Sequence, residues 1–339
     1  MSRLFDDLLA CPACQGSLEA DWSCTRCGAR YQAEDGIPNL RLAGEPRVDA
    51  VRRFYEQAPF PGYPPRDSLS WLRARAERSE FARLLDRAIP ADARIVEIGC
   101  GTGQMSLYLA TADRIVVAAD LARAPLRLAA DAARRFGLDR VQLIECDLFT
   151  PGLRRGAFDV VLSSGVLHHT PNPREAFASL ARLARPGGII VLGLYNAFAR
   201  LPLRLRRIVA RLSGYRVIPF DSVLRDRQHE PSRRDAWLRD QYQHPEEHRH
   251  TLAEVQAWFD ENDVDYVRAY PSALLGRGEE RGLFERAPDN WRLEGWLAQV
   301  SWARTLGHEG GLFVTIGRRS TQLKNQDSKF KNTTVENPG

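Results

Sequence analysis

An α/β fold organised around a doubly wound, mostly parallel seven-strand sheet is what this 339-residue sequence predicts. Three observations predict it. Apolar strands alternate with helical stretches from residue 91 to 195, a glycine-rich turn joins the first of these strands to a helix, and an acid closes the second. A cysteine-clipped segment precedes this core and an arginine-rich insertion follows its fifth strand.

The front segment reads Cys11-Pro-Ala-Cys14, nine residues, then Cys24-Thr-Arg-Cys27. Two such knuckles can set four thiolates tetrahedrally around one Zn²⁺. A unit of about forty residues buries too little apolar surface to fold alone, so the metal would supply folding energy. Disulfides are disfavoured in the cytosol, and a redox CxxC belongs in a βαβ context. Four thiolates leave no open position for a catalytic water, so the expected role is structural.

Next, Arg53-Phe-Tyr-Glu-Gln-Ala-Pro-Phe-Pro-Gly-Tyr63 has the aromatic and proline content of a lid over a cleft, or of a linker packed on the core. Arg94-Ile-Val-Glu-Ile then enters Gly99-Cys-Gly-Thr-Gly103, with a helix expected from Gln104 to Leu109 and beyond. The glycines let the backbone approach a nucleotide-like ligand. Ile115-Val-Val-Ala-Ala-Asp120 is the second strand, and its acid is placed to take both hydroxyls of a ribose. A helix from Leu121 to Phe136, a strand from Val141 to Asp147, a strand from Phe158 to Gly165, a helix from Arg174 to Ala184 and a strand from Arg185 to Tyr195 complete the alternation. The chain returns to the sheet at Thr251 to Tyr270, opened by the capping box Thr251-Leu-Ala-Glu254, and at Gly311 to Gly317.

A nicotinamide dinucleotide would need glycine or alanine at position 104, where this chain has Gln104. Glu97 beside a pyrophosphate is also unfavourable, because like charges repel. It suits a cationic ligand such as S-adenosylmethionine, which carries a sulfonium, an ammonium, a ribose and an adenine but no phosphate.

In order and at these spacings, VEIGCGTGQMS, AAD, ECDLF, FDVVLSSGVLHH and RPGGIIVL resemble class I S-adenosylmethionine-dependent methyltransferases, and within them the ubiquinone and menaquinone biosynthesis enzymes. The first forty residues, through Tyr31 to Leu40, resemble zinc ribbons fused to rRNA guanine methyltransferases and the small zinc-ribbon activators of tRNA, rRNA and release-factor methyltransferases. The resemblance implies that Glu97, Gly99, Gly101 and Gly103 line the methionine and ribose part. It implies that Asp120, with Leu121, holds the ribose and that Asp147 and Leu148 meet the adenine. Ser164 and Gly165 would floor the site near the ammonium. A helix cap is the alternative role of Asp147.

Displacement at a sulfonium requires positioning, and a base only where the nucleophile must lose a proton. His168 and His169 follow the fourth strand, where the resemblance has the methyl group emerge, and either is a candidate base; the alternative is a cap on the Pro171-Asn-Pro173 turn. Tyr195 is a second candidate for substrate contact. Ser163-Ser164-Gly165-Val166 lacks the Pro-Pro floor of adenine N-methyltransferases. Cys100 and Cys146 sit in the turn and the third strand, where packing is the expected role, not a cytosine C5 nucleophile.

Residues 199–214 interleave arginine with leucine and contain no acid. A cap helix with a solvated basic face, an RNA contact and a membrane-surface helix all fit that pattern. Residues 240–250 gather His244, His248 and His250 beside two glutamates, as a polar loop or a metal site. Trp291, Trp296 and Trp302 are expected on a buried helix face.

The net charge of +5 is too mild to specify a polyanionic partner: all three lysines lie in residues 324–331, and residues 1–320 hold 45 arginines against 41 acids. The start of the chain lacks the pattern of a secretory signal, and the longest apolar stretch, Ile189 to Phe198, is about half a bilayer span, so a cytoplasmic setting is expected.

The expected organisation is a zinc ribbon (1–42), a helical lid and linker (43–90), an S-adenosylmethionine-binding core (91–195), a cap insertion (196–250), the remainder of the core with a helical insertion (251–319) and a disordered tail (320–339). The expected reaction is methyl transfer to an oxygen or nitrogen of a small, lipophilic metabolite. An RNA methyltransferase, a non-catalytic S-adenosylmethionine sensor and a dehydrogenase are the alternatives.

Overall fold

The computed structural model describes residues 3–42, 46–57, 68–219, 221, 224–225, 231–243, 247–274, 282–288, 292–306 and 311–321. Most of the expected tail, residues 58–63 of the aromatic segment expected as a lid, His244 and Trp291 lie outside them.

Within these residues a hairpin of β1 (Ala33–Glu34) and β2 (Ile37–Pro38) precedes three helices, α1 (Pro46–Gln57), α2 (Leu69–Glu77) and α3 (Glu80–Ala88). The core then runs β3 (Arg94–Ile98), α4 (Gln104–Leu109), β4 (Ile115–Asp120), α5 (Arg123–Phe136), β5 (Val141–Glu145), β6 (Phe158–Ser164), α6 (Pro173–Ala181) and β7 (Ala184–Tyr195). The cap contributes α7 (Leu201–Leu212) and α8 (Pro231–Leu238), after which come α9 (Leu252–Glu261), β8 (Val264–Tyr270), α10 (Arg292–Thr305) and β9 (Leu312–Arg319).

The seven strands lie in the order β5-β4-β3-β6-β7-β9-β8. The first five are parallel, and β9 runs antiparallel between β7 and β8. This is the expected doubly wound sheet, with the reversal of strand order between β3 and β6. Ile95, Val96, Ile98 and Val116 to Ala119 are all buried, as parallel strands covered on both faces require. Helix α5 starts at Arg123 and not at Leu121, because the Asp120 carboxylate first takes the Ala122 amide at 2.9 Å. Asn172 caps α6 by accepting from the Glu175 amide, so neither His168 nor His169 serves as that cap.

The cysteine segment is joined to this core. Phe5, Leu8, Leu9, Leu18, Trp22 and Leu40 share one apolar cluster with Val96, Val117 and Ile144 of the sheet. Leu40 donates its amide to Glu145 O, and Asn39 bridges in parallel with Glu145, so the segment covers the edge of β5. Trp302 is buried, but Trp296 is 49% exposed, against expectation: it packs edge-on to Phe198 and leaves its other side to solvent.

Candidate active site

Where the strand order reverses, the carboxyl ends of β3, β4, β6 and β7 and the segment after β5 open into a cavity of about 400 Å³. Glu97, Gly99, Gly101, Asp120, Leu121, Asp147, Leu148, Ser164 and Gly165 all line it. Gly103 does not. A Cβ there would stand 2.9 Å from the Ala129 Cβ, so its role is to let α4 approach α5. Gly99 has φ +77°, and a Cβ on it would overlap a Val166 methyl, so the turn tolerates only glycine.

Two carboxylates face this end. Glu97 is 8% exposed and accepts a hydrogen bond from the Ser106 hydroxyl, and burial pushes its pKa up to about 7. Asp120 accepts from the Gly101 amide at 2.8 Å, and burial raises it to about 6. Both are poised to favour a ligand that brings positive charge or hydroxyl donors. Gln104 lines the same wall with its Nε2 buried and without a partner, a donor for a ligand acceptor. The Asp147 Oδ1 takes the Phe149 amide at 2.9 Å in a turn, with no helix there for it to cap, and the residue faces the cavity. Cys100 and Cys146 also line it, and burial holds both thiols well above their ordinary range, which disfavours the thiolate.

The far end is aromatic and apolar: Val166, Pro171, Tyr195, Trp237 and Leu312, with His169, Thr170 and Gln241 as polar groups. His169 and Tyr195, two of the residues singled out in the sequence, thus line this end. His168 does not reach the cavity, and the expectation of a base there is corrected. Fully buried, it stacks on Tyr195 with ring centroids 3.7 Å apart, and its Nδ1 accepts the Tyr195 amide at 3.3 Å. Its backbone carbonyl takes the His248 amide. The Arg200 guanidinium lies 3.5 Å from the Tyr195 ring centroid, so Tyr195 is held between two planar groups.

The remaining polar groups around Tyr195 come from the cap. A single π-helical turn, Arg239–Gln243, brings Gln241 in, and its Nε2 donates to the Tyr195 hydroxyl at 2.8 Å. Arg200 Nη1 donates to Gln241 Oε1 at 2.5 Å and Arg207 Nε to Gln241 O at 2.7 Å, while Glu247 pairs with both arginines. Those pairs hold the Glu247 pKa below its ordinary value despite the burial that opposes them. Sequence reasoning missed Gln241 and Arg200, because their hydrogen-bond partners lie 41 to 47 residues away, and Trp237, whose indole meets Asp221 sixteen residues away; no local pattern marks any of them. Within the segment expected as a lid or linker, Tyr55 and Val51 of α1 line the cavity, and Glu56 accepts the Arg123 and Ala124 amides at 2.7 and 3.1 Å at the start of α5.

The four cysteine sulfurs gather within 4.8 Å of one another. Cys11 to Cys27 is 3.7 Å and Cys14 to Cys24 is 3.5 Å. A tetrahedral Zn–S length of about 2.3 Å implies sulfurs about 3.8 Å apart, so the set fits a zinc ion. The Tyr31 hydroxyl lies 3.0 Å from the Cys11 sulfur, and a Cβ on Gly16 would meet Cys24 Sγ at 2.9 Å. Among the described residues no other group of His, Cys, Asp or Glu is placed to hold a metal. His250 instead pairs with Glu254 at 3.0 Å. No described helix is long and apolar enough to cross a membrane.

Residues 96–192 match the family model described as a methyltransferase domain. An uncharacterized protein of Synechococcus sp. is 27% identical over 268 residues, covering 68% of this chain and 64% of that protein. A ubiquinone biosynthesis O-methyltransferase of Xanthomonas axonopodis pv. citri is 32% identical over 160 residues, covering 45% and 63%. The chain thus spans less than two thirds of these curated relatives. A solved geranyl diphosphate C-methyltransferase from Streptomyces coelicolor aligns over 82% of this chain and all of that one, at 14% identity and a TM-score of 0.47.

Proposed function

We propose that this protein is an S-adenosylmethionine-dependent methyltransferase whose acceptor is an oxygen or nitrogen atom of a small, lipophilic metabolite. One observation carries the reading: a single cavity joins a cofactor end built from Glu97, Gln104 and Asp120 to an aromatic and apolar end at Tyr195, Trp237 and Leu312. The matched methyltransferase domain and the O-methyltransferase relative support it.

S-adenosylmethionine, when bound, supplies a methyl group on a positively charged sulfur. Glu97 answers the cationic part of the donor, Asp120 the ribose hydroxyls, Asp147 and Leu148 the adenine, and Ser164 and Gly165 the floor. Val166, Leu312 and Trp237 exclude water, so the reacting atoms are held and not solvated. His169, the imidazole that faces the cavity, accepts the proton from a hydroxyl or amine acceptor as methyl is transferred. Tyr195, held by His168, Arg200 and Gln241, positions the acceptor. The cysteines hold Zn²⁺ structurally, and their thiolates suit a reducing, cytoplasmic setting.

The test is transfer of labelled methyl from S-adenosylmethionine into a cell extract, split afterwards into RNA, protein and organic-extractable fractions. Label is expected in the organic fraction and absent with the Glu97→Ala, Asp120→Ala double variant. Label in RNA would replace this reading by the nucleic-acid one, and label in no fraction would favour a sensor.

A further inference from the structure

Helix α7 is apolar on two opposite sides. Leu203 and Ala210 are buried against Leu224 and Tyr242 of the cap. Leu201, Leu205, Ile208, Val209 and Leu212 are 47, 67, 55, 41 and 84% exposed. At 100° per residue these five form one ridge about a third of a turn wide, opposite the buried pair. A solvated cap helix would carry polar residues there. Arg204 and Arg211 lie along one flank of the ridge and Arg206 along the other, and residues 196–220 contain six arginines and no acid.

The patch extends past the helix. Phe198, three residues before Leu201, meets Trp296 of α10 with ring centroids 5.9 Å apart. Trp296, Leu297 and Val300 are 49, 41 and 39% exposed. They add a second apolar surface, whose indole meets Phe198 just before the start of α7.

We infer that this face of α7 and α10 docks the protein on an anionic phospholipid bilayer, the ridge entering the acyl boundary and the arginines meeting the headgroups. The charge pattern selects that occupant. A second copy packed on the same ridge would set arginine against arginine, because α7 has no acid to offer. A bilayer rich in phosphatidylglycerol or another acidic lipid supplies both the apolar layer and the counter-charge. An indole with one apolar side and one wet side is suited to that boundary. The inference concerns surface binding and stands apart from the transfer reaction. Yet α7 begins six residues after Tyr195, so a protein docked this way has its acceptor end next to the lipid.

The test is flotation of the full-length protein with phosphatidylcholine vesicles, with and without phosphatidylglycerol. Wild type is expected to float with the phosphatidylglycerol vesicles alone, and less as salt rises. Leu205→Glu with Ile208→Glu is expected to lose binding at least about tenfold, since both side chains must leave water. Arg204→Glu with Arg211→Glu is expected to lose more than about twentyfold, at about fivefold for each arginine removed. Unchanged binding of S-adenosylhomocysteine and an unchanged circular dichroism spectrum establish that the variants are folded. Wild type that stays in solution with both vesicles overturns the inference, as does flotation indifferent to phosphatidylglycerol or to either double substitution. A wild-type dimer that L205E/I208E dissociates would make a second copy the occupant and overturn it equally.

Discussion

Protons should compete with the cofactor at Glu97, and the competition can be worked out. In the free protein burial raises Glu97 to about 7 and Asp120 to about 6. A ligand whose ammonium lies by Glu97 and whose ribose hydroxyls donate to Asp120 requires both carboxylates ionised. Affinity therefore rises with pH and is lost as pH falls through these values. For a group of pKa about 7 the penalty factor is about 11 at pH 6 and about 1.1 at pH 8, a tenfold difference or about 1.4 kcal/mol. Asp120 adds about a factor of two at pH 6, for a total of about twentyfold. Calorimetric titration of S-adenosylhomocysteine, which keeps the ammonium, reads this directly. Glu97→Gln should bind more weakly at pH 8 and retain only the twofold dependence that belongs to Asp120. Affinity flat from pH 6 to pH 8 in the wild type, or the full slope in the Gln variant, would refute the reasoning.

Four further outcomes are expected. Glu97→Gln should raise the melting temperature of the unliganded protein at pH 8 but not at pH 4: a raised carboxylate pKa leaves the fold unpenalised below the ordinary 4.5 and costs up to about 3 kcal/mol above pH 7. Gly99→Ala should abolish measurable S-adenosylhomocysteine binding, since its φ of +77° alone costs an alanine about 1–2 kcal/mol and the new Cβ displaces Val166 from the cavity wall. Chelation of the cysteine site, or Cys24→Ser, should weaken S-adenosylhomocysteine binding about tenfold and speed amide exchange at residues 147–153. Ala10 N–H to Gly152 O at 3.0 Å and Arg154 N–H to Leu8 O at 2.8 Å tie that loop to the clip, at about 1 kcal/mol each. His169→Gln should lower kcat by about 10²-fold or more with unchanged S-adenosylhomocysteine affinity, checked by steady-state kinetics once an acceptor is in hand.

The cofactor end was legible in the sequence because its chemistry is local. A buried strand, three glycines and an acid at the end of the next strand are consecutive or nearly so, and each strand is apolar enough to announce itself. At the far end of the cavity the sequence reading named only Tyr195, which closes β7, and His169, five residues past β6. Gln241 reaches Tyr195 through a π turn, and Arg200 and Glu247 find each other across 47 residues; no periodicity encodes such pairings. Sequence alone favoured His168 over His169, whereas the packing separates them the other way: His169 faces the cavity and His168 stacks on Tyr195. Trp296 was misplaced because a tryptophan stripe usually marks a core, and here it marks a surface that leans on Phe198. The cysteine spacing announced a group of four thiols that could share a metal but not its docking on β5, which rests on Asn39 and Leu40 meeting an edge strand more than a hundred residues away.

The central claim is that Glu97 and Asp120 flank a site for a cationic, phosphate-free donor. Equilibrium dialysis with labelled S-adenosylmethionine, competed by S-adenosylhomocysteine and by NADH, tests it most directly. The expected result is one bound donor per chain, displaced by S-adenosylhomocysteine and untouched by NADH. Retention of NADH with no binding of S-adenosylmethionine or S-adenosylhomocysteine would contradict the account and assign the glycine turn to a dinucleotide.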